Sequence, residues 1–244
     1  MKTVIVIPSR MASTRFPGKP LAKILGKPMI QRVWEQAIKS NLGEVVVACS
    51  EEEIFDLISN LGGRAIITNP KIPTGTDRIY SALKKTNLIN DFDYIINLQG
   101  DMPLIKSNQI KKVLEPLKKT YTIGTLATRL KENEKTNPNV TKVQIKWEDD
   151  SIGNAIDFFR LKKNVESNVY HHVGIYSYTK DSLINFIELP KSINEKLLNL
   201  EQYRILDAGI SIGIAFEDDI PPSIDTKEDL INSEIIIREN YEKY

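Results

Sequence analysis

Val4-Ile5-Val6-Ile7-Pro8-Ser9-Arg10-Met11-Ala12-Ser13-Thr14-Arg15-Phe16-Pro17-Gly18-Lys19-Pro20-Leu21 is the stretch that decides how this chain is read. It opens as a short β-branched run, Val4 to Ile7, the composition of a strand buried on both faces. It continues as a long polar loop, Ser9 to Pro20. There three cations, Arg10, Arg15 and Lys19, alternate with the small residues Ala12, Ser13 and Gly18. Small residues let backbone N–H groups approach an anion. Arg grips phosphate oxygens as a fork and Lys as a point charge. Three cations suit a triphosphate better than a monophosphate, and Lys19 is placed to stabilise charge developing at an α-phosphate. The loop is not G-x-x-x-x-G-K-[ST]: Pro20 follows Gly18-Lys19 and the earlier glycine is missing. It is not G-x-G-x-x-G either. The plainer reading is a solvated basic loop between a strand and a helix.

Outward from this stretch the chain alternates. Pro28 to Lys39 has helical spacing, with Met29, Ile30, Val33, Trp34 and Ala37 on one side. Glu44 to Ala48 reads as a strand, and Glu51 to Asn60 as a helix with Ser50 as N-cap. Arg64 to Thr68 is a strand, Thr76 to Lys85 a helix, Tyr94 to Leu98 a strand and Ser107 to Leu117 a helix. This rhythm predicts an α/β fold with a mostly parallel sheet covered by helices on both faces. Ligands in such sheets bind beyond the carboxyl ends of the strands. The loops after the first and fourth strands are therefore the places to look.

The second half is less regular. Gly124 to Thr128, Val140 to Trp147, Ala155 to Phe159, Val173 to Tyr178 and Ser211 to Ala215 read as strands. Glu195 to Asp207 reads as one amphipathic helix and Lys227 to Glu239 as the last helix. No linker or repeat interrupts the chain. We expect one domain over 1–244 with an α+β insertion at about 129–210.

Composition narrows the class. With 33 basic and 32 acidic residues the net charge is +1, which gives no support for a nucleic-acid or membrane-surface protein. A single cysteine, Cys49, lies in the apolar run Val45 to Cys49 and reads as a small buried hydrophobe. No intrachain disulfide is possible, which fits a reducing compartment. The four-residue apolar run after Thr3 is shorter than the roughly 7–15 residues of a signal-peptide core. No stretch approaches the ~20 apolar residues of a membrane span. The expectation is a cytoplasmic protein.

Two acids carry the next step. Asp101, in Asn97-Leu98-Gln99-Gly100-Asp101-Met102-Pro103, sits just past a buried strand. Mg²⁺ is commonly held by one or two carboxylates together with ligand phosphates and water, and Asp101 is the first candidate ligand. Asp225, in Ser223-Ile224-Asp225-Thr226-Lys227-Glu228-Asp229, is the second. Asp225 or Thr226 can also be the N-cap of the last helix, with Glu228 or Asp229 completing a capping box. Pro73-Thr74-Gly75-Thr76-Asp77-Arg78 opens a helix whose first amides can donate to a ligand; an ordinary start capped by Thr76 is the alternative. His171 and His172 are the only histidines. Neighbours on a strand face opposite sides, so at most one faces a site, and Tyr176 shares the face of His172. No further His or Cys stands at zinc spacing. Glu201 and Gln202 lie on a helix, where Gln can bind sugar hydroxyls, and Arg160 is a candidate for a sugar carboxylate.

Taken in order, the first loop, Gly26-Lys27-Pro28-Met29-Ile30, Gly75-Thr76-Asp77-Arg78, Gln99-Gly100-Asp101, His172-Val173-Gly174-Ile175-Tyr176, Leu200-Glu201-Gln202 and Asp225-Thr226 resemble the 3-deoxy-manno-octulosonate (Kdo) cytidylyltransferase family. The resemblance runs from residue 7 to about 230. It implies a Rossmann-like nucleotidyltransferase fold, a homodimer and a role in lipopolysaccharide biosynthesis. It implies that CTP and a 2-keto-3-deoxy sugar acid are the partners and Mg²⁺ the cofactor. Pro8, Arg10, Ser13, Arg15 and Lys19 would hold the triphosphate side, and Thr74, Gly75, Thr76 and Gln99 the cytidine. Asp101 and Asp225 would hold Mg²⁺. Arg78, Arg160, His172, Tyr176, Glu201 and Gln202 would meet the sugar acid. Lys19, Arg15, Asp101 and Asp225 would form the catalytic group. The chain departs from the family pattern in three places: Met102 stands where the family has Glu, Leu198 stands where it has Glu, and Leu161-Lys162-Lys163-Asn164 replaces an Ile-Pro pair after Arg160. These leave the CTP side nearly intact and alter the sugar side, so 8-amino-Kdo or a sialic-type acid are alternative substrates. A related transferase for a sugar 1-phosphate and a non-catalytic nucleotide-binding module are the other readings.

Overall fold

Strand β1 (Thr3–Ser9) is buried along all seven residues, as its unbroken apolar run requires. The structure, a computed structural model, describes residues 1–13, 15–162, 167–221 and 223–239. Thr14, Lys163 and Asn164 lie outside them. The chain divides into two compact units, residues 1–111 with the C-terminal segment from 221, and residues 112–220.

In the first unit β1 is followed by a two-stranded antiparallel ribbon, β2 (Lys23–Ile24) and β3 (Lys27–Pro28). The alternation then unfolds as α1 (Met29–Lys39), β4 (Gly43–Cys49), α2 (Glu52–Asn60), β5 (Arg64–Ile67), α3 (Gly75–Lys85), β6 (Tyr94–Asn97) and α4 (Ser107–Lys112). The sheet order is β5-β4-β1-β6, with every pairing parallel. The chain builds outward from β1 through β4 to β5, then returns to the other side of β1 as β6. Strand order therefore reverses between β1 and β6. The loops leaving their carboxyl ends diverge and open a crevice there.

Two helix starts differ from expectation. The N-cap of α2 is Glu51, without a side-chain cap bond, and Ser50 Oγ instead donates to Glu51 Oε1 at 2.9 Å. The N-cap of α3 is Thr74, whose hydroxyl accepts from the Asp77 amide, so the helix begins at Gly75 and Thr76 lies inside it. The helix expected over Ser107 to Leu117 stops at Lys112. A 3₁₀ turn at Pro116–Lys118 takes its place, because proline lacks the amide a continuing helix needs.

The second unit contains β7 (Ile123–Thr128), β8 (Lys142–Trp147), β9 (Ile152–Phe159), β10 (Val169–Thr179), α5 (Lys180–Glu188), α6 (Ile193–Leu198), α7 (Gln202–Leu206) and β11 (Gly213–Phe216). Its order is β10-β7-β11-β9-β8, and β8 returns to pair with β10. Five strands thus close on themselves. Only β11 with β7 is parallel; β10–β7, β10–β8, β8–β9 and β9–β11 are antiparallel. This corrects the expectation of a mostly parallel sheet, which holds for the first unit alone. The closure depends on β10, eleven residues long, which meets β8 at its start and β7 further on. Its register shifts between Val173 and Tyr176, the kind of bulge that bends a strand. The helix expected over Glu195 to Asp207 is two helices, parted by Asn199 in the left-handed conformation (φ 53°), a role asparagine fills more readily than most residues. Helix α8 (Lys227–Glu239) belongs to the first unit.

Candidate active site

A cavity of about 670 Å³ opens beyond the carboxyl ends of β1 and β6, of the size that holds a small organic ligand. Four segments line it. The loop after β1 supplies Pro8, Arg10, Ser13, Arg15 and Lys19, and the start of α3 supplies Thr74, Gly75 and Arg78. The loop after β6 supplies Gln99, Gly100 and Asp101, and the residue before the α8 cap supplies Asp225. Of the nucleotide-side residues expected from the sequence, all line the cavity but Thr76. That residue is buried behind it and accepts from Asn97 Nδ2 at 3.5 Å. Ala12, a small residue of the basic loop, also lines it, as do Pro20 and Ile72, which were not candidates from the sequence.

The Lys19 ammonium stands at the centre of this arrangement. It donates to Asp101 Oδ2 at 2.9 Å, to Asp225 Oδ1 at 3.2 Å and to the Ile224 carbonyl at 2.9 Å. Arg15 Nη2 reaches the same Asp225 oxygen at 3.1 Å. Residues 82 and 206 positions from Lys19 thus converge on one nitrogen. The two carboxylates face each other across a single cation, which offsets their repulsion. Burial is partial: the Lys19 side chain is 14% exposed, while Arg15 is 51% exposed and accessible to a ligand.

Apolar packing makes the convergence. Phe16, Ile24, Met29, Leu104, Ile224 and Ile237 form one buried cluster. Phe16 adjoins Arg15, Leu104 lies three residues after Asp101, and Ile224 precedes Asp225. The cluster therefore pins all three charge-bearing segments together. Burying one such aliphatic side chain contributes about 1.5–3 kcal/mol. The Ile224 amide also donates to the Asp101 carbonyl at 2.8 Å. Gly18 closes the basic loop, its amide donating to the Met11 carbonyl at 3.1 Å from a φ of 73° that favours glycine. At the last segment the capping box expected from the sequence falls on Thr226. Its hydroxyl accepts from the Asp229 amide, and Asp229 Oδ2 accepts from the amides of Thr226 and Asp225. This leaves the Asp225 carboxylate for Lys19 and Arg15.

The α3 side of the cavity is tightly fitted. A Cβ on Gly75 would stand 3.3 Å from Pro8 Cγ and 3.5 Å from Gln99 Oε1, closer than ordinary packing allows at the first contact. Arg78, expected on the sugar side, is 2% exposed and turns its guanidinium to the chain after β5. Nη1 donates to Thr68 Oγ1 at 2.5 Å and to the Asn69 carbonyl at 3.4 Å, and Nη2 to the Ile72 carbonyl at 3.4 Å. Burial, then repulsion by Arg10, lowers its pKa from the usual value. Cys49 is buried in β4 and its thiol pKa is pushed up to about 12, chiefly by burial, so it is an unreactive core residue.

The remaining sugar-side residues lie in the second unit. His172 and Tyr176 share a face of β10, and Tyr176 Oη is 3.0 Å from His172 Nε2. Thr125 Oγ1 is 3.1 Å from the same nitrogen, and the imidazole packs edge-on to Phe158. Burial, then His171, lowers the His172 pKa to about 3, so the ring is neutral at physiological pH. His171 faces away and pairs with Glu134 at 3.1 Å. Gln202 lies beside Tyr176. Glu201 lies 3.9 Å from Arg204, which is itself buried in a two-pronged pair with Glu195 at 2.8 and 2.5 Å. Arg160 follows β9 and is exposed; its carbonyl accepts from the buried Lys142 ammonium at 2.6 Å. Met102, one of the departures in sequence, is buried, and Leu198 is 44% exposed.

A parallel sheet whose switch-point crevice gathers cations and paired carboxylates defines a nucleotide-handling α/β protein. The comparisons specify which. The cytidylyltransferase family profile matches residues 4–212. A 3-deoxy-manno-octulosonate cytidylyltransferase of Paramagnetospirillum magneticum is 42% identical over 96% of this chain and 97% of its own length. One of Parvibaculum lavamentivorans is 41% identical over 93% and 89% respectively. The chain belongs to the 3-deoxy-manno-octulosonate cytidylyltransferase family. The solved structure of a CMP:2-keto-3-deoxy-manno-octonic acid synthetase complexed with CTP superposes with a TM-score of 0.88 at 34% identity, covering 98% of this chain and all of the other. A 4-diphosphocytidyl-2C-methyl-D-erythritol synthase from Anaerococcus prevotii, at 14% identity and a TM-score of 0.66, shares the fold.

Proposed function

We propose that this chain transfers CMP from CTP to the anomeric hydroxyl of Kdo, releasing pyrophosphate, in lipopolysaccharide biosynthesis. The observation that carries the reading is the Lys19 ammonium held between Asp101 and Asp225 in a cavity lined by Arg10 and Arg15. Arg10 and Arg15 bind the β- and γ-phosphates and hold the leaving pyrophosphate. Lys19 stabilises charge that builds on the α-phosphate as the sugar oxygen attacks. The reaction needs no covalent enzyme intermediate. Family membership and the CTP complex of the 34%-identical structure support the nucleotide.

Asp101 and Asp225 fit a divalent cation. They are hard oxygen donors that already converge on one positive charge, with Lys19 as the stand-in. Among the described residues no group of three or more His, Cys, Asp or Glu gathers, which fits an ion completed by phosphate and water. When bound, Mg²⁺ would neutralise phosphate charge and acidify the attacking hydroxyl. His172, Tyr176 and Gln202 are assigned to the sugar acid as a neutral, hydrogen-bonding set, with the Glu201 carboxylate beside them and the Arg160 cation for the sugar carboxylate, and Arg78 supports the cavity wall. We assign the chain to the cytoplasm, as a Rossmann-like domain with its sugar-binding insertion at about 129–210, acting as a homodimer. Among the described residues no helix is long and apolar enough to cross a membrane.

The test is pyrophosphate release with four nucleotides crossed against Kdo, 8-amino-Kdo and a sialic acid. CTP with Kdo is expected to give the highest kcat/KM. Preference for another nucleotide would overturn the cytidylyl assignment, and preference for another acid would overturn Kdo. Release should also cease in EDTA and return with Mg²⁺.

A further inference from the structure

Behind the cavity wall lies a short relay of side-chain amides. Asn97, the last residue of β6, is 1% exposed. Its Nδ2 donates to Thr76 Oγ1 at 3.5 Å, and its Oδ1 accepts from Gln99 Nε2 at 3.0 Å. A buried amide in an otherwise apolar strand costs stability unless its groups are paired, and here both ends are. The consequence reaches the ligand side. Gln99 commits one of its two amide N–H donors to Asn97. Gln99 lines the cavity with its whole amide at the wall, Oε1 3.5 Å and Nε2 3.6 Å from the position a Cβ on Gly75 would take. What sets the amide's orientation is the bond from Nε2 to Asn97, which leaves Oε1 as the end not tied to the relay.

We propose that Asn97 is a positioning residue for nucleoside selection: it fixes the Gln99 amide so that the carbonyl oxygen, and not the NH₂, meets the ligand. The group recognised is a hydrogen-bond donor of the nucleoside. Cytosine supplies one in its exocyclic amino group, where uracil carries an acceptor, and the ribose supplies others in its hydroxyls. An acceptor whose orientation is locked rejects a mismatched partner more strongly than a rotatable one, because the wrong ligand leaves it unpaired. The inference rests on the CTP reading above.

The experiment compares wild type with Asn97→Leu and Asn97→Asp, using CTP, UTP, 2′-deoxy-CTP and 3′-deoxy-CTP in the pyrophosphate assay. Binding of inorganic tripolyphosphate, which reports only the phosphate side, is measured alongside. Asn97→Leu frees the Gln99 amide to rotate. The expected result is a KM for CTP raised about tenfold, the scale of one lost hydrogen bond, with kcat and the tripolyphosphate Kd unchanged. Preference for CTP over UTP, or over one deoxy analogue, should fall by the same factor. The analogue affected identifies the base amino group or the hydroxyl. Asn97→Asp offers only acceptors, keeps Gln99 in place and should retain the wild-type preference. If Asn97→Leu leaves all nucleotide preferences unchanged while wild type prefers CTP, the inference fails and the cytidylyl reading stands. If tripolyphosphate binding weakens as much as CTP binding, the residue is merely structural and the inference fails. If wild type itself shows no CTP preference, both fall.

Discussion

The cavity of the first unit and the His172 cluster of the second hold their polar groups by opposite means. Around Lys19 the groups are charged and partly exposed, and they come from separate segments of the chain. Opposite charge holds them, and the apolar cluster of Phe16, Leu104 and Ile224 pins the segments beneath. Around His172 they are neutral, buried and carried on a strand, and aromatic packing and hydrogen bonds hold them. The first arrangement suits a polyanion that must arrive, react and leave as pyrophosphate. The second suits hydroxyl groups, which need fixed hydrogen-bonding partners in a dry environment. Exposed ion pairs contribute little to stability, whereas a buried charge left without its partner is costly. Function and stability should therefore separate between the two regions.

The largest expected effect lies in the cavity. Asp101→Asn should lower kcat by about 10³-fold with an unchanged melting temperature, read from pyrophosphate release and calorimetry. A large loss of stability instead would move Asp101 from chemistry to folding. The second region should show the converse. Arg204→Met leaves the Glu195 carboxylate buried without its partner and should cost about 3–5 kcal/mol in denaturant unfolding. Arg15→Met, which removes a half-exposed pair, should change stability by less than about 1 kcal/mol while weakening CTP binding.

Smaller still is a pH effect. The His172 pKa is lower in the folded protein, about 3, than the roughly 6.5 of an unfolded chain. Below about 6.5 the unfolded state takes up a proton that the folded state refuses. Stability present above that pH is therefore lost as the pH falls towards 3, by up to about 1.4 kcal/mol per unit. His172→Phe should flatten this slope between pH 6 and 4 in melts of the two proteins. An unchanged slope would mean that His172 is not the group responsible. At the weak end, Thr226→Ala removes the α8 cap and should cost about 1 kcal/mol.

The same contrast governs what the sequence disclosed. The first unit was legible because β-branched runs, glycines and a capped helix start are local signals. Val4 to Ile7 with its basic loop pointed to β1 and the crevice, and the cap candidates Asp225 or Thr226 with Glu228 or Asp229 to the start of α8, where the structure uses Thr226 and Asp229. The acids at 101 and 225 were visible as residues, but their meeting at Lys19 depends on long-range apolar packing that no local pattern encodes. In the second unit, closure of the five strands rests on a bulge in β10 and on its double pairing with β7 and β8, neither of which has a sequence mark. Helix α5 was missed although Thr179, whose hydroxyl accepts from the Ser182 amide, is an ordinary N-cap signal. Asn199, placed to break one helix into two, was a readable stop between Glu195 and Asp207. Asn97 was detectable as a lone amide in an apolar run, and its relay to Gln99 became apparent only with the geometry.

A double-mutant cycle addresses most directly whether Lys19 and Asp101 act as one unit on one polyphosphate. Turnover of CTP with Kdo would be measured for Lys19→Met, Asp101→Asn and the double variant. Groups that work together fail together, so the double variant should be no more than about tenfold slower than the slower single one. Losses that multiply across the two substitutions would show two independent contributions and contradict a shared site.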